Sequence, residues 1–258
     1  MGRNAVCAVT LALFLVAFSG ACRNGACVAS AVRNQEIPAQ NVNALSIISG
    51  PGDLEVRGGA GRVLAVGHVC APDQATADKI VLYGGSQGDN TTIEARFPFT
   101  VAATEATMNL SIKIPTRVDV SVINRSGDVK ISRVNAVTLS DLGGDVRIQK
   151  ITGGVTITRN ATGDVLLEDI GGTAAVQQDL GGNLELRRVG GNVVIQRSET
   201  LRILVKDVRG DVVIWNDGPG DIEIENVQGD LFIQSDHGGK VVYHRIHGSI
   251  HLPEHFGL

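Results

Sequence analysis

Hydrophobic residues recur every 19 positions from Gly144 to the end of the chain, in pairs whose members stand two residues apart. The first pair of columns consists of Val146, Val165, Leu184, Ile203, Ile222 and Val241, with Ile148, Leu167, Leu186, Val205, Ile224 and Tyr243. The second pair consists of Val155, Ala174, Val193, Val212, Leu231 and Ile250, with Ile157, Val176, Ile195, Ile214, Ile233 and Leu252. A period of two is typical of a strand with one buried face, so each repeat predicts two short strands.

Glycines separate these strands and predict the turns between them. One corner has Gly144, Gly163, Gly182, Gly220 and Gly239, and the other has Gly153, Gly172, Gly191, Gly210, Gly229 and Gly248. Glycine admits a positive φ, and an Asp or Asn after it can bond its own backbone in an Asx-turn. Because a strand of about five residues cannot bury a face alone, each coil must lie on the next. The expected fold is an all-β solenoid, or β-helix, of 19-residue coils about 4.8 Å apart.

Two further columns accompany the strands. The apolar column, expected to point inward, is Ile151, Ile170, Val189, Val208, Val227 and Ile246. The adjacent column is Lys150, Asp169, Arg188, Asp207, Asn226 and Arg245. Its charged members alternate in sign, which predicts a surface ladder of pairs worth about 0.2–1 kcal/mol each, with ordinary solvated charges as the alternative. Leu201 interrupts the first glycine corner, so we expect a distorted corner there.

The amino-terminal half is also β-rich but lacks the regular repeat. We therefore divide the solenoid into an irregular part over residues 43–123 and a regular part over residues 124–258. Expected strands lie near residues 45–48, 54–57, 63–69, 80–83, 92–96, 108–114 and 118–123. The stretch from Gln74 to Lys79 is the candidate turn of helix.

Residues 1–21 have the features of a secretory signal peptide, since a basic residue precedes an apolar run from Val6 to Phe18. The sequence Ser19-Gly20-Ala21-Cys22 resembles a bacterial lipobox, although Ser replaces the usual Leu, and predicts lipidation at Cys22. Soluble export after cleavage behind Ala31 is the alternative. Residues 22–42 lack periodicity and are expected to form a tether. No later stretch is long and apolar enough to span a bilayer.

The cysteines bear on this choice of cleavage site. Cys7 leaves with the signal peptide, and if Cys22 is lipidated, Cys27 and Cys70 remain as a potential disulfide in an oxidising compartment. The favoured alternative is that Cys70 is a small buried hydrophobe. If cleavage falls behind Ala31, Cys70 has no partner.

Composition narrows the classes of partner. The net charge is −4 and the chain has no cluster of Lys or Arg, so the sequence lacks the positively charged surface that nucleic-acid binding needs. An aromatic content of 3% suits a thin solenoid interior. We expect no cofactor, and membrane contact only through the lipid anchor.

Three runs carry a family resemblance: Leu110–Pro115, Val118–Val122 and Ser126–Ile131, the last followed by repeated Gly-Asp-Val units. Together they resemble the bacterial adhesin-like family described as putative auto-transporter adhesin, head domain, over roughly residues 43–258. The resemblance implies a secreted or envelope-anchored β-solenoid of unestablished activity. It supplies no catalytic residues.

Three patterns raise the question of chemistry. Gly84-Gly85-Ser86-Gln87-Gly88 matches the nucleophile elbow, but no helix follows the serine as that motif requires, so we expect a hairpin turn. Five histidines lie near the carboxyl terminus, and two or three of them could bind zinc or nickel. The favoured alternative is that they are exposed polar residues on the last coil. They are His237, His244, His247, His251 and His255. A column of short polar residues raises the question of a calcium site, but we favour a role for them in turns. The column is Asp141, Asn160, Asp179, Ser198, Asp217 and Asp236. We assign no metal site.

One exterior face is much more apolar than the other. The second strand places Thr156, Ala175, Val194, Val213, Phe232 and His251 outward, with Trp215 beside them. Charged residues dominate the outward positions of the first strand. Contiguous exposed apolar surface usually contacts something, so Val194, Val213, Trp215 and Phe232 are the candidate partner-binding residues. Another subunit, an unknown protein or cell-surface partner, and cover by the amino-terminal strands are the alternatives.

These patterns predict an exported, non-enzymatic module for adhesion or envelope contacts, anchored by lipid at the outer membrane or cell surface. Periplasmic and secreted locations are alternatives. A self-assembling envelope scaffold is a second hypothesis, because neither solenoid end has an obvious charged cap. A carbohydrate-active β-helix enzyme is the least favoured, since the short coils lack long loops that could gather carboxylates.

Overall fold

The computed structural model describes residues 27–38, 42–88, 90–99, 101–102, 105–215, 218–234 and 238–253. Its amino-terminal elements are β1 (Ala29–Pro38), β2 (Ala44–Ile48), β3 (Leu54–Gly58), β4 (Arg62–Ala71), α1 (Gln74–Lys79), β5 (Val81–Gln87), β6 (Asn90–Arg96), β7 (Thr107–Ile114), β8 (Asp119–Asn124), β9 (Val129–Ser132) and β10 (Val137–Asp141). The regular coils contain β11 (Val146–Ile151), β12 (Val155–Asn160), β13 (Val165–Ile170), β14 (Ala174–Val176), β15 (Asn183–Val189), β16 (Val193–Ile195), β17 (Arg202–Val208), β18 (Val212–Ile214), β19 (Asp221–Val227), β20 (Leu231–Ile233), β21 (Val241–Ile246) and β22 (Ile250–His251). Within this part of the chain, no helix is long and apolar enough to cross a membrane.

The described strands form two sheets that face each other across the core. Sheet A runs in the order β1-β4-β7-β3-β9-β11-β13-β15-β17-β19-β21, and sheet B runs β5-β6-β2-β8-β10-β12-β14-β16-β18-β20-β22. From β11 onward the chain alternates between the sheets, and each strand pairs in parallel with the strand one coil away. Val146 pairs with Val165, and Val155 pairs with Ala174. The predicted solenoid and its 19-residue register are confirmed.

The inward columns build one continuous hydrophobic core. Ile148 and Leu167 have no exposed surface, and the third column is buried from Ile151 to Val227. The core is filled mainly by Val, Ile and Leu, whose branched side chains pack well on pleated strands. Coils therefore stay together because each one covers the apolar edge of its neighbour.

Glycine is required at the two corners for different physical reasons. At the first corner Gly144 has φ 115° and Gly163 has φ 92°, as the expected turn requires. At the second corner the glycines do not have positive φ. A Cβ on Gly172 would lie 2.9 Å from the carbonyl carbon of Gly153 in the previous coil. Glycine is needed there because the backbones of adjacent coils approach so closely, and the prediction of positive φ at this corner is wrong.

A column of non-glycine residues supplies the left-handed backbone that the second corner lacks. These residues are Lys150, Asp169, Arg188, Asp207, Asn226 and Arg245, with φ between 54° and 59°. The left-handed residue lies between two inward residues such as Ile148 and Ile151. It lets both side chains reach the core although they are three positions apart.

Asp and Asn side chains after the glycines connect coils rather than close local turns. Asp145 Oδ1 accepts a hydrogen bond from the backbone N–H of Asp164 at 3.0 Å, and Asp164 Oδ1 accepts from the N–H of Asn183 at 2.8 Å. At the other corner Asp211 Oδ1 accepts from the N–H of Asp230 at 2.9 Å. The expected role in local Asx-turns is therefore replaced by a bond to the next coil.

The first glycine corner changes at Leu201, as the sequence predicts. Gly182 in the preceding coil has φ 78°, whereas Leu201, Gly220 and Gly239 are not left-handed. Inter-coil bonding continues across the change, because the Leu201 N–H donates to Gly182 O at 2.9 Å. The side chain of Leu201 points outward and is 76% exposed.

The expected tether over residues 22–42 is wrong for residues 29–38, because they form β1, which pairs antiparallel with β4 along ten residues. Arg33 and Gln35 occupy inward positions of β1. Because they are polar, the sequence does not show the alternation of apolar and polar residues that indicates a strand. Arg33 Nε donates to Ile80 O at 3.0 Å, and Arg33 Nη2 donates to Ala77 O at 2.9 Å. Polar side chains thus satisfy backbone carbonyls of α1 and its carboxyl end.

Antiparallel strands close the amino-terminal end of the rod: β1 on β4 in sheet A, and β5 on β6 in sheet B. A disulfide between Cys27 and Cys70 joins the start of β1 to β4, so the favoured reading of Cys70 as a free buried thiol is wrong. The prediction concerned a charged cap, and this end is covered by strands instead. Ser86 lies on β5 and pairs with Thr91 of β6, so the predicted hairpin is present, but the serine is in its strand and not in its turn.

A column of polar side chains runs through the buried interior beside the first corner. Asn124, Asp141, Asn160, Asp179 and Ser198 are all nearly or fully buried. Asn160 Nδ2 donates to Asp179 Oδ1 at 2.8 Å and to Gly163 O at 3.2 Å. The side chain of Asn160 therefore bonds the backbone of its own corner and also connects its coil to the next one. Asp217 and Asp236, the other members of the predicted column, lie outside the described residues.

Burial raises the pKa of Asp179 to about 6 and also raises the pKa of Asp141. The Oδ2 atoms of both carboxyl groups are buried without a hydrogen-bond partner among the described residues. A proton on either oxygen would reduce the cost of burying a charge.

We expect stability to fall as pH rises from 4.5 to 7. The folded pKa of Asp179 lies above the unfolded value of 3.8, so the folded state holds a proton that the unfolded state has released. The loss is on the order of 2 kcal/mol, and Asp179→Asn should shrink it because an amide cannot ionise. Urea unfolding at the two pH values measures the effect.

Asp169→Asn is the matched control for that experiment. The hydrogen bond from Arg188 lowers the pKa of Asp169, so this carboxyl is ionised in both states between pH 4.5 and 7. The control should retain the pH difference. An unchanged difference in Asp179→Asn would show that Asp179 does not titrate in this window.

Candidate binding face

The outer face of sheet A is covered by ion pairs. Lys206 Nζ lies 3.0 Å from Glu223 Oε1 and 3.2 Å from Glu225 Oε2, while Arg202 and Arg245 contact the same two carboxylates. The hydrogen bond from Lys206 is the main cause that lowers the pKa of Glu223 and of Glu225. These acids stay ionised and satisfied by cations on their own protein.

The predicted charge ladder forms in part along the edge of this face. Arg188 Nε donates to Asp169 Oδ1 at 2.5 Å, and Arg188 Nη2 also lies 2.6 Å from Glu168 Oε1. Asn226 Nδ2 donates to Asp207 Oδ1 at 2.6 Å. The exposed pairs contribute little stability individually, but they leave this side of the rod strongly polar.

Sheet B presents the apolar face, which we define by Val194, Val213, Trp215 and Phe232. Val194 pairs with Val213, and Val213 pairs with Phe232, so the three outward side chains lie on successive coils. They are half-buried by their neighbours. Trp215 is 47% exposed. The structure therefore brings together all four residues that the sequence selected.

Aromatic rings extend the apolar face toward the last described coil. The ring centroids of Trp215 and Phe232 are 5.9 Å apart in an edge-to-face arrangement, and those of Phe232 and His251 are 6.2 Å apart. Edge-to-face contacts of this kind add about 0.5–1.5 kcal/mol beyond area burial. They also hold the rings in place on a rigid sheet.

The amino-terminal strands do not cover this face in the described structure. β1, β4 and β5 pair at the opposite end of the rod, several coils from β18 and β20. Cover by the amino-terminal strands, one of the alternatives from the sequence, is therefore wrong for the described residues.

A column of glutamines beside the apolar face is a feature that the sequence reasoning missed. Gln177, Gln196 and Gln234 occupy in their own coils the position that Trp215 occupies in its coil, and all three are exposed. The 19-residue spacing of these glutamines is visible in the sequence. It was missed because the columns were identified from apolar residues, and glutamine is polar.

The histidines lie on different parts of the last coil. His244 is on β21 in sheet A, whereas His251 is on β22 in sheet B. Among the described residues no three His, Cys, Asp or Glu side chains come together as candidate metal ligands. His237 and His255 lie outside the described residues.

No family model matches the chain, and no curated protein matches it. Several solved structures are similar to it, and three of them are described next. A putative cell adhesion protein from Clostridium sporogenes is 8% identical, with 87% of this chain and 99% of that chain covered and a TM-score of 0.33. A putative adhesin from Parabacteroides merdae is 12% identical, with 84% and 95% covered and a TM-score of 0.36. A putative lipid binding protein from Parabacteroides distasonis is 10% identical, with 86% and 93% covered and a TM-score of 0.33.

Two of these proteins are described as adhesins, the class that the sequence resemblance indicates. At such TM-scores the likeness carries no weight for function. The fold itself rests on the strand pairing of this chain.

Phe232→Ser is expected to change association while leaving folding nearly intact. Removal of a half-buried ring on the outer face should lower the free energy of unfolding by about 1 kcal/mol, compared with about 3–5 kcal/mol for removal of a core phenylalanine ring. Thermal unfolding and sedimentation velocity measure the two effects. Leu166→Ser, at the corresponding outward position of β13, is the matched control. A loss near the core value without any change in association would contradict the assignment of this face to an interface.

Proposed function

We propose that this chain is an exported, adhesin-like binding module that presents its apolar face from a rigid rod. The observation that carries the proposal is the contrast between the two sides of the same solenoid. On the regular coils of sheet A, ion pairs join outward charges from Arg147 on β11 to Glu225 on β19, whereas Val194, Val213, Trp215 and Phe232 on sheet B form a contiguous apolar surface. Exposed apolar patches bordered by polar residues are typical of interaction sites.

The chemistry of the carboxylates supports binding over catalysis. A glycosidase-like site needs a general acid whose pKa is raised, next to a second carboxylate. On the outer surface the pKa values of Glu223 and Glu225 are lowered by their cation partners. Asp179 has a raised pKa, but it is fully buried between the sheets, out of contact with any substrate.

The structure of the amino-terminal cap supports cleavage before Cys22 rather than behind Ala31. Cleavage behind Ala31 would remove Cys27 and with it the disulfide to Cys70, together with the first three residues of β1. Processing at Cys22 leaves the cap complete. We therefore include a lipid anchor on Cys22 in the proposed function, with the rod held at the cell envelope.

A self-assembling scaffold is the second proposal. In the described structure β21 is an edge strand of sheet A, and Tyr243 of its inward column is 38% exposed. Association through β21 would pair two rods end to end, and β1 and β5, the edge strands at the other end, are the strands through which such pairs would extend further.

A photo-cross-linking residue at position 213 should form adducts in producing cells, because Val213 lies in the centre of the apolar face. The same residue at position 166 is the control, since Leu166 points outward from sheet A among ion pairs. Immunoblots for the chain report the adducts. Equal labelling from both positions would argue against a dedicated binding face.

Cys22→Ser should move the chain from the membrane fraction to the soluble exported fraction, because it removes the lipidated thiol. Cys70→Ser is the control, since it breaks the disulfide and leaves Cys22 in place. Fractionation followed by mass spectrometry of the mature amino terminus measures both. A mature chain that begins behind Ala31 would refute the anchor.

A further inference from the structure

The apolar face differs from an ordinary hydrophobic patch in its lack of charge. The outward residues of β14, β16, β18, β20 and β22, and the residue that follows each of the first four strands, carry no Asp, Glu, Lys or Arg. The ion pair between Arg197 and Glu199 stands at its border. An uncharged ligand would lose the least hydration on meeting such a surface.

The rings on this face stand one to a coil. Trp215, Phe232 and His251 lie on three successive coils, and their centroids are separated by 5.9 Å and 6.2 Å. Coil stacking contributes about 4.8 Å to each separation; Phe232 and His251 share one outward column, whereas Trp215 lies in the neighbouring column, two residues beyond Val213. A sugar ring in an extended β-1,4-linked chain advances by a similar length, so successive sugars could each meet a successive coil.

Pyranose rings have the surface chemistry that this face complements. Their C–H faces are apolar and pack on aromatic rings, while their equatorial hydroxyl groups point sideways and need hydrogen bonds. The exposed amides of Gln177, Gln196 and Gln234 form one column with Trp215, beside the column that contains Phe232 and His251. Each amide offers both donors and an acceptor, which suits hydroxyl groups that also donate and accept.

We propose that the apolar face binds an extended, neutral, β-1,4-linked polysaccharide whose chain lies along the rod axis. Trp215, Phe232 and His251 provide the apolar contacts to the sugar rings, with neighbouring ring planes inclined by 60° and 50°, and the glutamine column bonds the hydroxyl edges. This inference deepens the proposed function and rests on it, because the same face must be free for a partner. Rings on three successive coils, with amides beside them, place similar contacts along the rod axis, which favours an extended polymer over a compact ligand.

Trp215 provides a direct test, since it is the only tryptophan of the chain. The purified chain would be titrated with cellohexaose, chitohexaose and mannohexaose while tryptophan emission and acrylamide quenching are followed. At least one of these sugars should give a saturable change and protect Trp215 from acrylamide. Maltohexaose, which is α-linked and curved, and hexagalacturonate, which is charged, should each bind at least about tenfold more weakly.

Variants then locate the site. Trp215→Ala and Phe232→Ala, measured by calorimetry with the sugar that binds best, should each weaken binding about tenfold or more. Gln196→Ala should weaken it by a smaller factor. Leu201→Ala removes an exposed apolar side chain from a corner, and should leave the affinity unchanged while the circular dichroism of all variants stays that of the parent.

Three results would overturn the polysaccharide proposal: no saturable response to the neutral β-1,4-linked sugars at millimolar concentration, equal binding of hexagalacturonate, or affinity that survives Trp215→Ala. If the chain instead forms a dimer that Phe232→Ser dissociates, the apolar face binds a second copy. The proposed binding function would then stand without the sugar. If neither sugars nor association respond to Phe232→Ser, and cross-linking from position 213 also fails, both proposals are refuted.

Discussion

The parallel stacking of each coil on the next is the constraint on which the rest of the structure depends. A single coil has two strands of a few residues and cannot bury its apolar edge, so its stability comes from its neighbours. Backbone hydrogen bonds repeat at equivalent positions, as when the Gly172 N–H donates to Gly153 O and the Gly191 N–H donates to Gly172 O. The same bonds set the distance between side chains on both outer faces.

Stacking also restricts what each corner can contain. At Gly172 a Cβ would meet the carbonyl of the previous coil, whereas at Gly144 the backbone itself is left-handed. Asp145 and Asp211 use their side chains to accept backbone N–H groups from the following coil. The corners are therefore part of the inter-coil bonding.

The outer positions are free of these restrictions, and there the two sides of the rod differ. Sheet A pairs Lys206 with Glu223 and Glu225, while sheet B places Val213, Trp215 and Phe232 side by side on two adjacent coils. Both sides share one core, so these outer contacts add little to stability compared with the core. This difference is the basis on which we propose a binding role for sheet B.

The sequence by itself determined the solenoid, its 19-residue register, the inward columns, α1 and the four residues of the apolar face. It could do so because a coil that stacks on its copy must repeat its side-chain pattern. Only the tertiary structure decided that β1 replaces the expected tether, since Arg33 and Gln35 are satisfied by carbonyls distant in sequence. It also decided that Cys27 meets Cys70, that Asp side chains bond the next coil, and that Trp215 packs edge-on against Phe232. Those outcomes depend on distances between segments far apart in the chain, which periodicity along one strand does not contain.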